Sequence, residues 1–223
     1  MFGELRGWDG EVELSAMNCS SLEQRRRREV VQSVLTEAAV EPGHPSTKFT
    51  YADYELFPDD GLRHEIIDGE HYVTASPVTR HQRISRTLLV LVQNYLDSHP
   101  IGEVFDAPFD VVLSFFDVVV PDLVFISNAR AQLITEKNLQ GAPDLVIEIL
   151  SPSTRPRDER LKRQLYEREG VDEYWLVDPD RDVVTIYRRG VEGFGAAVRY
   201  GRGEVVTTPL IPGLEFPVDK ILH

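Results

Sequence analysis

The hydrophobic positions change their period along the chain, and these changes outline a protein of mixed α/β structure. A helix is predicted over about 79–96, where apolar residues recur at helical spacing: Ile84, Leu88, Leu91, Val92 and Tyr95. The following part of the chain is rich in Val, Ile and Phe, which predicts strands over 103–106, 109–114 and 117–126.

The second half of the pattern begins with the apolar run Leu145–Leu150, which is typical of a strand covered on both faces. A helix is predicted over Arg157–Glu169, ended by Gly170, and strands are predicted over 173–177 and 183–188. Upstream, HEIIDGEHYVT predicts a β-hairpin that turns at Asp68–Gly69. This order of elements predicts an α/β layer fold around one central sheet.

The first part of the chain has a different character. Ser20 and Ser21 are suited to cap a helix over about 21–39, and EPGHPS (41–46) is typical of a linker. We therefore predict an N-terminal extension and linker over 1–47 and the main domain over 48–223.

Composition narrows the class of protein. The single cysteine, Cys19, allows neither an internal disulfide nor a cysteine-based zinc site, which favours a cytoplasmic location. No apolar run approaches the roughly 20 residues that span a bilayer, so no membrane partner is expected. The formal charge of −13 disfavours a protein that passively coats nucleic acid. It remains compatible with an enzyme that gathers carboxylates around a metal ion and keeps one local basic face.

The most informative residue is Glu148, because it interrupts the apolar run 145–150. A carboxylate in a dry sheet is retained when it is paired, protonated or bound to a cation. Asp122 interrupts a second β-rich run, directly after Pro121. Two carboxylates on adjacent strands make the kind of oxygen site that Mg²⁺ prefers. The alternative is that Asp122 caps a turn and Glu148 pairs with an arginine.

The predicted helix after this strand carries Asp158, Lys162 and Tyr166 at i, i+4 and i+8, which places them along one stripe. Residues 155–168 hold six basic side chains against three acidic ones, within an acidic chain. For Lys162 alone, an ordinary surface ion pair with Asp158 explains the pattern. For Asp122, Glu148 and Lys162 together, a functional site is the better explanation.

These segments resemble a known family. PDLVFIS (121–127), PDLVIEILSPST (143–154), the Asp158–Lys162–Tyr166 spacing and GVDEYWLVDP (170–179) are similar to the Uma2 family of endonucleases, within the PD-(D/E)XK nuclease superfamily. The resemblance extends over about 50–217. It implies a restriction-endonuclease-like core with a mixed central sheet flanked by helices, and Mg²⁺-dependent hydrolysis of phosphodiester bonds in DNA, with Mn²⁺ as an alternative ion.

The resemblance also assigns roles to residues. It maps the motif carboxylates, which would be both catalytic and metal-binding, onto Asp122 and Glu148. The superfamily lysine is expected two residues after the Glu, where this chain has Leu150; we expect Lys162 to replace it. Supporting roles are predicted for four residues: Glu65, His81, Asp158 and Tyr166. Contacts with phosphate are predicted for three arginines: Arg155, Arg157 and Arg163.

Two hypotheses about function follow. The first is a DNA endonuclease, for which a homodimer is plausible because cutting two strands usually takes two active sites. The second is a catalytically silent nuclease-like fold that acts as a nucleic-acid or protein binding module. Leu150 and the overall acidity favour the second hypothesis, and the set Asp122, Glu148 and Lys162 favours the first.

Overall fold

The computed structural model describes residues 48–222. The helix predicted over about 21–39 and the linker after it lie outside these residues, so the predicted domain boundary stays a prediction. None of the helices within 48–222 combines the length and the apolar character that crossing a bilayer requires.

The elements of the described residues follow the order that the hydrophobic pattern predicts. The helices are α1 (Tyr51–Tyr54), α2 (Thr79–Ser98) and α3 (Arg163–Glu169), with 3-10 turns at Asn128–Leu133 and Val218–Lys220. A π-helical segment, Arg157–Lys162, runs directly into α3, and we call the two together the 157–169 helix. The strands are β1 (Arg63–Ile67), β2 (Glu70–Thr74), β3 (Gly102–Asp106), β4 (Val111–Ser114), β5 (Asp117–Val119), β6 (Leu123–Ser127), β7 (Leu139–Gln140), β8 (Leu145–Ile149), β9 (Glu173–Asp178), β10 (Val183–Gly190), β11 (Gly193–Phe194), β12 (Val198–Tyr200), β13 (Val205–Thr207) and β14 (Glu215–Pro217).

The strands form a mixed central sheet and a second sheet beside it. The central sheet has seven strands in the order β11-β10-β9-β8-β6-β3, with β12 paired to β10. Within it β8 and β9 run parallel, whereas β6 and β8 run antiparallel. The second sheet has five strands in the order β2-β1-β5-β4-β7, and β13 pairs with β14 separately. The α/β class with a mixed central sheet is confirmed, but the sequence pattern did not reveal that the hairpin joins a second sheet.

The chain passes from one sheet to the other at Val120–Pro121–Asp122. β5 ends at Val119 in the five-stranded sheet, and β6 begins at Leu123 in the central sheet. Proline has no N–H to donate to a strand ladder, so Pro121 favours an end to pairing at this point. One apolar run therefore supplies strands to two sheets, and Asp122 lies where they separate.

The two faces of the central sheet are covered by different elements. One face packs against α2 and the C-terminal segment, through residues such as Leu88, Ile147 and Trp175. The other face packs against the five-stranded sheet and the 157–169 helix, through residues such as Val146 and Tyr166. Because side chains alternate along a strand, Glu148 projects from β8 toward this second face.

The hairpin turn fixes which side chains of β1 point inward. Asp68 and Gly69 have φ values of 53° and 80°, as a tight two-residue hairpin requires. The turn sets the register of Ile67 opposite Glu70 and Glu65 opposite Tyr72. A one-residue slip would turn every side chain of β1 to the opposite face.

We predict that Leu88→Ala lowers the free energy of unfolding by about 2–5 kcal/mol, because Leu88 is fully buried between α2 and the central sheet. The matched control is Val90→Ala on the same helix, whose side chain is 49% exposed and whose loss should cost no more than about 0.5 kcal/mol. Urea unfolding of the two variants measures the difference. Equal losses would contradict this packing of α2.

Candidate active site

Two carboxylates lie on neighbouring strands of the central sheet. Leu123 of β6 pairs with Ile147 of β8 in antiparallel register, which sets Asp122 opposite Glu148. Both side chains are buried, and the backbone N–H of Ile149 donates to Asp122 Oδ2 at 2.8 Å. Asp122 and Glu148, the two acids that interrupt the apolar runs, therefore lie next to each other at one end of the pair of strands.

The 157–169 helix brings a buried ammonium group to these acids. Lys162 Nζ lies 2.8 Å from Glu148 Oε1, 2.7 Å from Glu65 Oε1 and 3.8 Å from Asp158 Oδ1. Only 3% of the Lys162 side chain is exposed. One turn further along, the Tyr166 hydroxyl donates to Glu148 Oε1 at 3.0 Å. The stripe Asp158–Lys162–Tyr166 thus faces the sheet, and its π-helical turn is a feature frequent at functional sites.

Glu65 links the cluster to the five-stranded sheet. It is fully buried on β1, and its Oε1 accepts the backbone N–H of Val120 at 3.1 Å in addition to the Lys162 ammonium. Arg157 Nη2 lies 3.4 Å from Glu65 Oε2 and donates to Thr74 at 2.5 Å. Lys162 therefore connects an acid from each of the two sheets.

Asp122 is bound by groups that favour its ionised form. Arg63 Nη1 donates to Oδ1 at 2.8 Å, and His81 Nε2 lies 3.0 Å from Oδ2. Burial acts to raise the pKa of Asp122, but His81 and Arg63 outweigh it and lower this pKa to about 2. Asp122 is therefore an anion across the whole physiological pH range.

The environment of Glu148 has the opposite effect. Burial raises the pKa of Glu148 to about 8. The attraction of Lys162 acts to lower this pKa, but the nearby carboxylates of Asp158, Asp122 and Glu65 oppose that attraction. Burial acts to lower the pKa of Lys162, yet the three carboxylates around it raise that pKa above its ordinary value. The ammonium therefore stays charged, and Glu148 is the group that titrates near neutral pH.

The cluster contains more acid than base. Four carboxylates, those of Glu65, Asp122, Glu148 and Asp158, lie with three permanent cations, those of Arg63, Arg157 and Lys162. Two buried oxygens form no hydrogen bond within the described residues: Glu65 Oε2, which lies 3.4 Å from Arg157 Nη2, and Asp158 Oδ1, which lies 3.8 Å from Lys162 Nζ. Because the pKa of Glu148 is raised to about 8, the cluster would accept a further cation as this group loses its proton.

A metal ion would rely on few protein ligands here. Within residues 48–222, no group of three or more His, Cys, Asp or Glu side chains is arranged to hold an ion. Asp122 and Glu148 offer two carboxylates, which suits an ion such as Mg²⁺ that keeps several waters. A closed cage of the kind that holds structural zinc is not built from the described residues.

The three arginines predicted to contact phosphate have different environments. Arg155 makes a two-pronged ion pair with Asp178, at 2.6 and 2.9 Å, and Arg157 turns inward to Glu65. Arg163 instead lies over the ring of Tyr187, at 5.4 Å from its centroid. Of the three, Arg163 is the one without an acidic partner within the described part of the chain.

One residue of the cluster was missed by sequence reasoning. Arg63 binds Asp122 and keeps 21% of its side chain exposed, so it borders the open edge of the cluster. The sequence feature that indicates Arg63 is its position two residues before Glu65, since alternate residues of a strand share a face.

The fold and this site define a nuclease-like α/β protein, and comparison with known proteins gives the family. Residues 51–219 match the family model Uma2, described as a putative restriction endonuclease, and the chain belongs to that family. This confirms the resemblance found in the sequence.

Two relatives illustrate the similarity. The uncharacterized protein slr1290 of Synechocystis sp. (strain ATCC 27184 / PCC 6803 / Kazusa) is 26% identical over 183 residues, which are 81% of this chain and 94% of that protein. The crystal structure of a putative nuclease belonging to DUF820 from Anabaena variabilis ATCC 29413 superposes with a TM-score of 0.68 at 19% identity. The superposition covers 78% of this chain and 97% of that one, and it supports the shared fold.

We predict that Tyr166→Phe lowers the free energy of unfolding by a larger amount at high pH than at low pH. The folded-state pKa of Glu148 is raised to about 8. Protonated Glu148 therefore contributes stability that is fully present below the ordinary pKa of a glutamic acid and is lost as pH rises through 8. Above that pH the Tyr166 hydroxyl hydrogen-bonds a carboxylate, and such bonds are stronger than neutral ones. The variant should lose about 1 kcal/mol at pH 6 and about 2 kcal/mol at pH 9 in unfolding measured with a chelator present.

The matched control for this experiment is Tyr174→Phe. The Tyr174 hydroxyl donates to the backbone carbonyl of Asp158 at 3.0 Å, an acceptor that does not titrate. The loss of unfolding free energy in Tyr174→Phe should stay at about 1 kcal/mol at both pH values. A cost of Tyr166→Phe that does not depend on pH would contradict a titrating Glu148.

Proposed function

We propose that this protein is a Mg²⁺-dependent endonuclease that hydrolyses phosphodiester bonds in DNA, with Mn²⁺ as an alternative ion. The observation that carries the proposal is the buried Lys162 ammonium, 2.8 Å from Glu148 in a cluster that adjoins Asp122. Two acids on adjacent strands and a positioned ammonium are the groups that phosphodiester hydrolysis needs. Family membership supports the nuclease class, and the family description supports DNA as the substrate.

The residues present fit a hard divalent cation. Asp122 and Glu148 would hold it, since carboxylate oxygens are the ligands that Mg²⁺ prefers. The register of β6 and β8 sets these two carboxylates opposite each other, and both are buried. When bound, the ion would supply Lewis-acid polarisation of a phosphate oxygen and a more acidic water.

The other side chains would bind the substrate and position protons. Lys162 would stabilise the negative charge that develops on the phosphate, acting from a site with little water. Tyr166 would hold Glu148 in place through its hydrogen bond of 3.0 Å, and Asp158 would hold the ammonium from 3.8 Å. Arg63 and His81, which contact Asp122 and are 21% and 11% exposed, are suited to orient the scissile phosphate.

A second candidate function is a catalytically silent nuclease-like module that binds nucleic acid or protein. The observation that favours it is the enclosed state of Lys162, which is 3% exposed and already paired with two carboxylates. An ammonium held in this way also serves a purely structural role. The two functions differ in whether the cluster responds to metal and whether the protein cuts DNA.

The setting of the proposed activity follows from its substrate. A DNA-cutting enzyme with a single cysteine suits the cytoplasm. Cutting both strands of a duplex usually takes two active sites, which favours a homodimer as the working form.

We predict that Mg²⁺ or Mn²⁺ raises the thermal unfolding temperature of the protein, because an ion that binds only the folded state stabilises it. At a hundredfold excess over Kd the increase should be on the order of 5–10 °C. Asp122→Asn should abolish the increase. Asp219→Asn, in an exposed ion pair with Arg202, is the matched control and should keep it. A wild-type protein whose unfolding temperature ignores both ions would refute the metal site.

We predict that Lys162→Met abolishes Mg²⁺-dependent nicking of a supercoiled plasmid while the metal-induced thermal shift remains. The control is Lys137→Met, since that lysine is 80% exposed and lies outside the cluster. Because Lys162→Met leaves buried acids without their cation, Glu148→Gln is a second variant, which replaces a carboxyl group by a neutral amide of the same shape. It should fold and also fail to nick. Nicking at the wild-type rate by either variant would overturn the assigned roles.

A further inference from the structure

A cleft of about 690 Å³ lies beside the 157–169 helix. It is lined by helix residues outside the stripe Asp158–Lys162–Tyr166, together with residues of β9, β10 and β12. Its rim carries four arginines, and two acids lie beside them: Arg160, Arg163, Arg181 and Arg199, with Glu159 and Asp178. The net charge of the chain is −13, so this concentration of positive charge runs against the composition of the whole. The proposed endonuclease function does not use the cleft.

The acids of the cleft are already neutralised. Arg155 Nη1 lies 2.6 Å from Asp178 and 3.4 Å from Glu159, and Arg181 adds a contact of 3.6 Å to Asp178. In contrast, Arg160, Arg163 and Arg199 form no ion pair with any described residue. The charge that remains toward the cleft is therefore positive.

The arrangement of these arginines suits phosphate groups. Arg160 and Arg199 are exposed, and Arg163 is held by stacking on Tyr187 at 5.4 Å. A stacked guanidinium keeps the N–H edge that binds phosphate oxygens in a fork. Basic side chains on opposite walls of one cleft, with an aromatic ring between them, match a nucleic-acid backbone better than a single small anion.

The sheet connects the cleft to the proposed active site. Glu148 pairs with Leu176, Leu176 with Thr185 and Thr185 with Arg199, so a single row of positions crosses β8, β9, β10 and β12 on one face. Three strand spacings separate the ends of this row, or roughly 14 Å. Because Glu148 and Leu176 are buried, a DNA strand with one phosphate at the acid cluster would pass over the 157–169 helix to place nearby phosphates in the cleft.

We propose that this cleft is a second binding site, which takes backbone phosphates of the DNA strand next to the bond that is cut. The proposal rests on the proposed endonuclease function for the identity of the ligand. Its contacts are with phosphate, so it would anchor the substrate without reading its sequence.

The experiment compares the variant Arg160→Gln/Arg199→Gln with the wild type and with Arg83→Gln/Arg86→Gln. The control pair is matched, because Arg83 and Arg86 are exposed on α2, form no ion pair with a described residue and remove the same charge. Affinity for labelled duplex DNA is measured by fluorescence anisotropy over a range of salt concentrations, with Ca²⁺ in place of Mg²⁺. Plasmid nicking in Mg²⁺ is measured in parallel.

We expect the cleft variant to bind DNA roughly tenfold more weakly, with a salt dependence lower by about 2 in log–log slope, while the control binds like the wild type. Equal binding by all three proteins, an equal loss in the control or no DNA binding by the wild type would each overturn the proposal. If affinity depends on the cleft but the wild type never nicks DNA, the second site stands and the endonuclease function fails. If all three nick alike with unchanged affinity, the endonuclease function stands without the cleft.

Discussion

The structure depends on one buried interaction, the contact of the Lys162 ammonium with Glu65 and Glu148. Transfer of an ionised group out of water costs several kcal/mol, and the cost is offset only where the group meets a partner in close contact. The three groups come from β1, β8 and the 157–169 helix, so they are paired only when both sheets and the helix occupy their observed positions. Any displacement of one element would leave a buried charge without its partner. The candidate active site is therefore also the joint between the two sheets.

The same joint explains why two similar carboxylates behave differently. Asp122 lies where the chain leaves one sheet for the other and meets two cationic or hydrogen-donating side chains, Arg63 and His81. Glu148 is buried to a similar extent but shares its one ammonium with two other acids. Their pKa values consequently move in opposite directions, the pattern that separates a permanent anion from a titrating acid. Position between the sheets, and not residue type, sets this difference.

The sequence predicts the parts of this arrangement that are local. Helical spacing predicts α2 and the 157–169 helix, and the two interrupted apolar runs single out Asp122 and Glu148. The partners across the fold are not local, and periodicity indicates the face of an element without naming what covers it. The second sheet, the contact of Arg63 with Asp122 and the inward turn of Arg157 all depend on long-range packing of β1. Likewise, the basic content of 155–168 is visible in the sequence, but its division into paired and unpaired arginines is not.

That division also resolves the apparent conflict between an acidic chain and a nucleic-acid substrate. Within residues 155–168, Lys162 is paired in the acid cluster and Arg155 is paired with Asp178, whereas Arg160 and Arg163 line the cleft. At physiological salt, exposed charges more than about 8 Å apart are largely screened from each other. A phosphate in the cleft therefore interacts chiefly with the arginines of its rim, and the acidic charge spread over the remaining surface acts on it weakly. Local geometry, more than net charge, then decides which polyanion this face of the protein can approach.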